Sequence, residues 1–228
     1  KNSIDENNQY DFTFVHSVNE TKYTHNGLTG TGVETDFLGF NGIESAETIS
    51  DVRRNANKRT RQGFMGRLRF NHNDTYLITI TSRYDGSSVF SEYKKYGFFP
   101  SVALGWKINK EKYFDDMSDI TQLKLRLSYG SIGNEAINPY QSLGLASPTF
   151  YAFDGQTYIG YGPTNSLHNP NLSWETSTTF NIGIDFGFFN NRLTGTVEYY
   201  DTKTTDVLVN RRVNAPGYTT TTCLLYTS

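Results

Sequence analysis

The side chains able to do chemistry are few and dispersed. The four histidines, His16, His25, His72 and His168, show neither an HExxH pattern nor paired spacing, so they form no zinc-ligand set and read as solvated loop residues. The single cysteine, Cys223, lies almost at the end of the chain, which excludes an internal disulfide framework and any CxxC metal or redox motif. Asp115, Asp116 and Asp119 are close in sequence but lack calcium-loop spacing and its turn glycine, which leaves a polar rim beside a helical turn. The run Gly27-Leu28-Thr29-Gly30-Thr31-Gly32 has no Gly-Lys-Ser/Thr ending and precedes no helix, so it reads as a flexible surface loop and not a phosphate cradle. Arg67, Arg69, Lys124 and Arg126 recur at alternate positions among apolar residues, which sends them to one polar face. No catalytic, cofactor-binding or metal-ligating residue is expected, no substrate-binding residue is assigned, and the expectation is a protein that is not an enzyme.

Elements that alternate must hold these residues. Of 228 residues, 36% are hydrophobic and 15% aromatic, and the mean hydropathy is −0.55. Gly, Asn, Thr and Ser fill the spaces between rings, so alternation and not bulk hydrophobicity organises the chain. A net charge of −2 with no basic patch gives nucleic acid no footing. No apolar run approaches the roughly 20 residues of a spanning helix, which excludes a helical membrane protein. Lys1 to Glu6 show no export signal, so an exported protein would have its true start elsewhere.

Seven segments follow a period of two: 10–18, 61–71, 75–84, 99–108, 122–132, 174–186 and 192–201. The fifth is the cleanest, with Leu123, Leu125, Leu127 and Tyr129 opposite Lys124, Arg126 and Ser128. Segments of about 10 residues match what a tilted strand needs to cross a bilayer. The connections alternate in length: a long loop over Asn19 to Thr60, a tight turn at His72-Asn73-Asp74, a loop over Asp85 to Phe98, a moderate connection from Asn109 to Thr121 that is the one imperfect member, a long loop over Gly133 to Ser173 and a tight turn at Asn190-Asn191. Lys110 to Asp116 suits a single helical turn. The expected fold is all-β, a transmembrane antiparallel up-and-down β-barrel of which about seven strands are present. With the short turns periplasmic, Tyr84, Tyr129, Trp174 and Tyr199 form an outer ring girdle, and Phe70, Tyr76, Trp106 and Phe186 an inner one. A soluble β-sandwich is the competing fold, since its strands also alternate.

Several stretches together carry a family likeness. These are Tyr84-Asp85-Gly86-Ser87-Ser88, Gly97-Phe98-Phe99-Pro100-Ser101, Leu125-Arg126-Leu127-Ser128-Tyr129-Gly130 with Gly133-Asn134, Asn169-Pro170-Asn171-Leu172-Ser173-Trp174-Glu175, and Phe189-Asn190-Asn191-Arg192-Leu193. In this order they resemble the SusC/RagA family of TonB-linked outer-membrane transporters, from about Tyr10 to about Thr222. The resemblance implies a 22-strand barrel with an N-terminal plug and a SusD-like surface lipoprotein as lid. It also implies TonB-driven import of oligosaccharides or peptides across the outer membrane of a Gram-negative, Bacteroidetes-like cell. Residues 1–222 would be barrel without plug or TonB-contacting segment. Cys223-Leu224-Leu225-Tyr226-Thr227-Ser228 departs from the family pattern and reads as a non-native tail. The alternatives are a siderophore or cobalamin receptor barrel and a secreted carbohydrate-binding β-sandwich.

Overall fold

The computed structural model describes residues 2–3, 7–33, 36–114, 119–164, 166–215 and 218–225. Among the described residues, thirteen strands follow in chain order: β1 (Asn2–Ser3), β2 (Asn8–Thr31), β3 (Thr48–His72), β4 (Tyr76–Ser87), β5 (Tyr96–Lys107), β6 (Ile120–Asn134) and β7 (Ala146–Phe153). They continue with β8 (Gln156–Pro163), β9 (Ser166–Leu167), β10 (Glu175–Phe188), β11 (Leu193–Thr205), β12 (Val207–Ala215) and β13 (Tyr218–Leu225). One sheet holds eight of them in the order β1-β2-β3-β4-β5-β6-β10-β11. Each of the seven segments expected from alternation matches one of these strands, with at most one residue outside it. The neighbours pair antiparallel and nearly sequentially, as an up-and-down barrel wall requires.

The register aligns the apolar sides of all these strands. One row reads Phe70, Ile78, Leu104, Leu127, Ile182 and Tyr199 across β3, β4, β5, β6, β10 and β11. A one-residue slip of any strand would exchange its two faces, so this pattern specifies the register. The apolar face stays open, with Leu104, Tyr129, Val197 and Tyr199 all exposed. Among the described residues, the buried apolar side chains are Val89, Phe90, Phe99, Ile137 and Leu172, most of them in connections and not in the sheet. A sandwich would bury the apolar rows of its sheet against a second sheet. That competing fold is therefore rejected.

Turn chemistry explains the tight connections. Asn73 and Asp74 both take positive φ, 52° and 53°, and the Thr75 amide donates to the His72 carbonyl at 2.9 Å. This is the backbone of a hairpin turn whose twist matches its strands, and Asn and Asp tolerate it best. At the other turn, Phe189, Asn190 and Asn191 are all at positive φ and Arg192 closes back on the Phe189 carbonyl. Between β5 and β6, two short 3-10 turns, Ile108–Lys110 and Lys112–Phe114, stand where one helical turn was expected.

Several expectations are corrected. The first strand does not stop at Val18, because β2 runs to Thr31 and β3 starts at Thr48. Most of the expected loop from Asn19 to Thr60 is thus strand, and Gly27 to Thr31 belongs to β2 instead of a flexible loop. Taken by itself, the unit Asn19–Thr60 has a Lys58 to Glu20 ion pair at 2.8 Å and 3-10 turns over Asp36–Ser45. The second long loop contains the hairpin of β7 and β8, turned at Asp154-Gly155 with φ of 50° and 70°. Apart from these corrections, β12 and β13 pair antiparallel, Cys223 with Val209 and Leu225 with Val207, which leaves open whether the tail from Cys223 is native. His16 and His25 sit in β2 and His72 ends β3, so these three are not loop residues.

Candidate functional site

The polar face carries the charges as the alternation required, and the register decides which of them meet. Arg126 stands opposite Gly183, which in turn stands opposite Glu198. With no side chain at Gly183, the guanidinium crosses β10; a Cβ there would lie 3.2 Å from both Arg126 Nη2 and Glu198 Cγ. Arg126 donates to both Asp185 carboxylate oxygens at 2.9 Å and to Glu198 at 2.5 Å, while the Thr196 hydroxyl donates to Asp185 at 3.0 Å. One cation ties three strands together through charge-assisted hydrogen bonds. Nearer the long-loop end, Arg83 forks onto Asp85 at 3.0 Å and Arg61 pairs with the nearly buried Glu135. Arg67, Arg69 and Lys124 share this face.

At the short-turn end, Asp74 accepts from Lys107 at 2.6 Å and Lys110 at 2.8 Å. Those two ammonium groups lower the carboxyl from 3.8 to about 2. Glu111 accepts from the Tyr76 hydroxyl at 2.5 Å and from Trp106 Nε1 at 2.9 Å, and these donors lower its pKa as well. Both contacts pin the connection between β5 and β6 to the hairpin beside it. Asp115 and Asp116 lie outside the described residues, whereas the Asp119 carbonyl accepts from the Phe189 amide at 2.8 Å. Among the described residues, no three metal-ligating side chains converge.

The long-loop end holds a small core that alternation did not reveal. Val89, Phe90, Ile137 and Leu172 pack together with Trp174 and Leu208 against them. Trp174 Nε1 donates to the Lys95 carbonyl at 2.9 Å, and its ring meets Phe90 at 5.2 Å and Phe99 edge-on at 5.5 Å. Trp174 is therefore no member of the outer girdle, because its indole is used to fasten loops. Tyr84, Tyr129 and Tyr199 do lie exposed on the apolar face. Ser142 Oγ donates to the Val89 carbonyl at 2.8 Å and Ser91 Oγ to the Pro170 carbonyl at 2.5 Å. The two stretches expected as long loops, Asn19 to Thr60 and Gly133 to Ser173, thus contain structured elements. The β7 and β8 hairpin exposes Phe150, Tyr151, Phe153, Ile159 and Tyr161.

Comparison with known proteins fits this architecture. The sequence profile of the family described as "TonB dependent receptor-like, beta-barrel" matches residues 1–227. The chain belongs to the TonB-dependent receptors. Among relatives of this receptor family, TonB-dependent receptor SusC of Bacteroides thetaiotaomicron is 41% identical over 158 residues, 67% of this chain and 16% of SusC. TonB-dependent receptor P26 of Formosa agariphila is 39% identical over 186 residues, 78% of this chain and 18% of P26. The solved RagAB peptide transporter superposes with a TM-score of 0.81 at 26% identity, covering 97% of this chain and 24% of that one. The likeness to SusC and RagA read from the sequence motifs is thereby confirmed. The chain spans less than a fifth of the length of either curated relative.

Proposed function

We propose that this receptor segment is part of the wall of an importer that carries oligosaccharides or peptides through the outer membrane with energy from TonB. One observation carries the reading. A single sheet offers an exposed apolar face and, on the other side, charges already paired within the wall, which is the division between lipid and lumen in a transport barrel. The similarity to SusC and to a peptide transporter favours these two substrate classes over siderophores or cobalamin. In this reading residues 1–222 furnish wall and loops, the plug and the TonB-contacting segment belong to the rest of the parent, and a SusD-like lipoprotein closes the outer side. No catalytic step is assigned to any residue.

The test is uptake by the native host with and without the parent gene. Labelled neutral oligosaccharides and labelled peptides would be offered separately, with and without a protonophore. Loss of energy-dependent uptake of one class in the deletion strain is expected. Unchanged uptake of both, with loss of iron-siderophore or cobalamin uptake instead, would overturn the proposal.

A further inference from the structure

The apolar face ends, on the side away from the tight turns, in a built platform. Gln62, Gly86 and Tyr96 stand opposite one another on β3, β4 and β5. A Cβ at Gly86 would lie 2.4 Å from the Tyr96 ring, so only glycine lets that ring lie flat across β4. Lying flat, Tyr96 stacks on Tyr84 with centroids 5.0 Å apart and planes 9° from parallel, and its hydroxyl donates to Gln62 Oε1 at 3.2 Å. Gln62 Nε2 lies 3.2 Å from His16 Nε2, and the His16 ring stacks on Phe64 at 4.5 Å. The result is a row of stacked rings crossed by a chain of hydrogen-bonding groups, over four adjacent strands.

We infer that this platform holds the sugar headgroup of an outer-leaflet glycolipid. The inference rests on the membrane reading above. Three features select the occupant. The platform continues the lipid-facing rows, with Phe64, Tyr84 and Phe98 in one of them, so its ligand lies in the membrane plane. The Tyr96 ring lies over Gly86 with Tyr84 parallel to it, which suits the flat C–H face of a pyranose. The Tyr96 hydroxyl and the Gln62 amide are donors and acceptors matched to hydroxyls, so the platform reads the sugar ring, and phosphate, which lipid A and phosphatidylglycerol share, does not decide between them.

The probe is lipid A, with phosphatidylglycerol as the competitor. The full-length parent is reconstituted in phosphatidylethanolamine vesicles containing either lipid, re-extracted, and its retained lipid measured by native mass spectrometry. Wild type is expected to retain lipid A in preference to phosphatidylglycerol. Gln62→Ala should reduce retention about fivefold, as for one lost hydrogen bond. Tyr96→Leu should reduce it further, with Tyr96→Phe between the two, while heat-modifiable mobility and substrate uptake stay at wild-type levels. Equal retention of both lipids by wild type, unchanged retention in the variants, or loss of a second receptor copy instead of lipid would each overturn the inference. A wild type that does not insert into vesicles would refute the membrane reading along with it.

Discussion

A charge placed on the apolar face should report bilayer depth, and the register supplies the depth scale. On β6 the outward series is Leu123, Leu125, Leu127 and Tyr129. Leu127 lies between Leu104 and Ile182, whereas Leu125 lies between Ile184 and Trp106, whose indole reaches the rim through Glu111. Leu127 is therefore the deeper site. Two residues advance about 7 Å along a strand, or about 5 Å along the membrane normal at a tilt near 40°. An arginine costs about 2–4 kcal/mol at the midplane and nearly nothing about 12 Å away. Each two-residue step then changes the cost by about 1 kcal/mol. In the full-length parent, Leu127→Arg should cost about 3–4 kcal/mol, Leu125→Arg and Tyr129→Arg about 2–3, and Leu123→Arg less. Reversible folding into lipid vesicles in urea, followed by heat-modifiable gel mobility, gives the four values. A flat series, or one with its minimum at Leu125 or Leu127, would refute the assignment of this face to lipid.

The other predictions address single contacts. Arg126→Leu, which alternation alone treats as mild, should cost about 1 kcal/mol, because it strands Asp185 and Glu198 in a lumen whose solvent screens much of the penalty; Arg126→Leu with Asp185→Asn and Glu198→Gln should recover most of it. Gly133→Ala should lower the unfolding midpoint and loosen the outer loops to protease, since its Cβ would lie 2.1 Å from the Phe99 ring; protease resistance equal to wild type would refute the packing argument. Asp74 is lowered in the folded state, so its contribution is present above its ordinary value of 3.8 and fades as pH falls toward about 2. Asp74→Asn should therefore remove stability at pH 5 to 8 but little at pH 2, a small effect because the pair is half exposed; a difference confined to neutral pH against pH 5 would contradict it. Epitope tags at Asn41 and Asp154 should be reachable on intact cells and one at Asn190 only after the outer membrane is breached, the reverse pattern inverting the topology.

The wall was legible because its physics is local to each strand. Leu123, Leu125 and Leu127 alternate with Lys124 and Arg126 whatever their neighbours are, so period and face could be read from one chain. What the charges do was hidden, since the Arg126 partners, Asp185 and Glu198, lie far along the chain and are reached only across Gly183. The long loops were misread for a different reason. β2 and β3 continue beyond bilayer length in sequence that is polar on both sides, where alternation fades although the ladder persists. For β7 and β8 the sequence does carry a signal. Asp154-Gly155 between alternating residues is a strong local mark of a two-residue hairpin turn, and Phe150, Tyr151, Tyr158 and Ile159 flank it.

The recognisable motifs have a physical reason to be recognisable. Gly97 and Gly133 leave room for the Phe99 ring, which would lie 2.4 and 2.1 Å from a Cβ at those positions. Leu172 is fully buried beside Phe90, and Trp174 sits on Phe90 and Phe99 while tied to the Lys95 carbonyl. Motifs far apart in sequence thus converge on one small core that fastens three connections at the long-loop end. Their spacing records packing and not ligand contact, which is why recognising the family from them named no substrate residue. In the import reading proposed above, substrate choice falls to surfaces that this core leaves free, and the exposed β7 and β8 hairpin is one of them. Exchanging Ala146–Pro163 for the equivalent hairpin of a relative with another substrate should change what the parent imports and leave its folding intact. Uptake specificity unchanged by that exchange would place the choice elsewhere on the barrel or its lid.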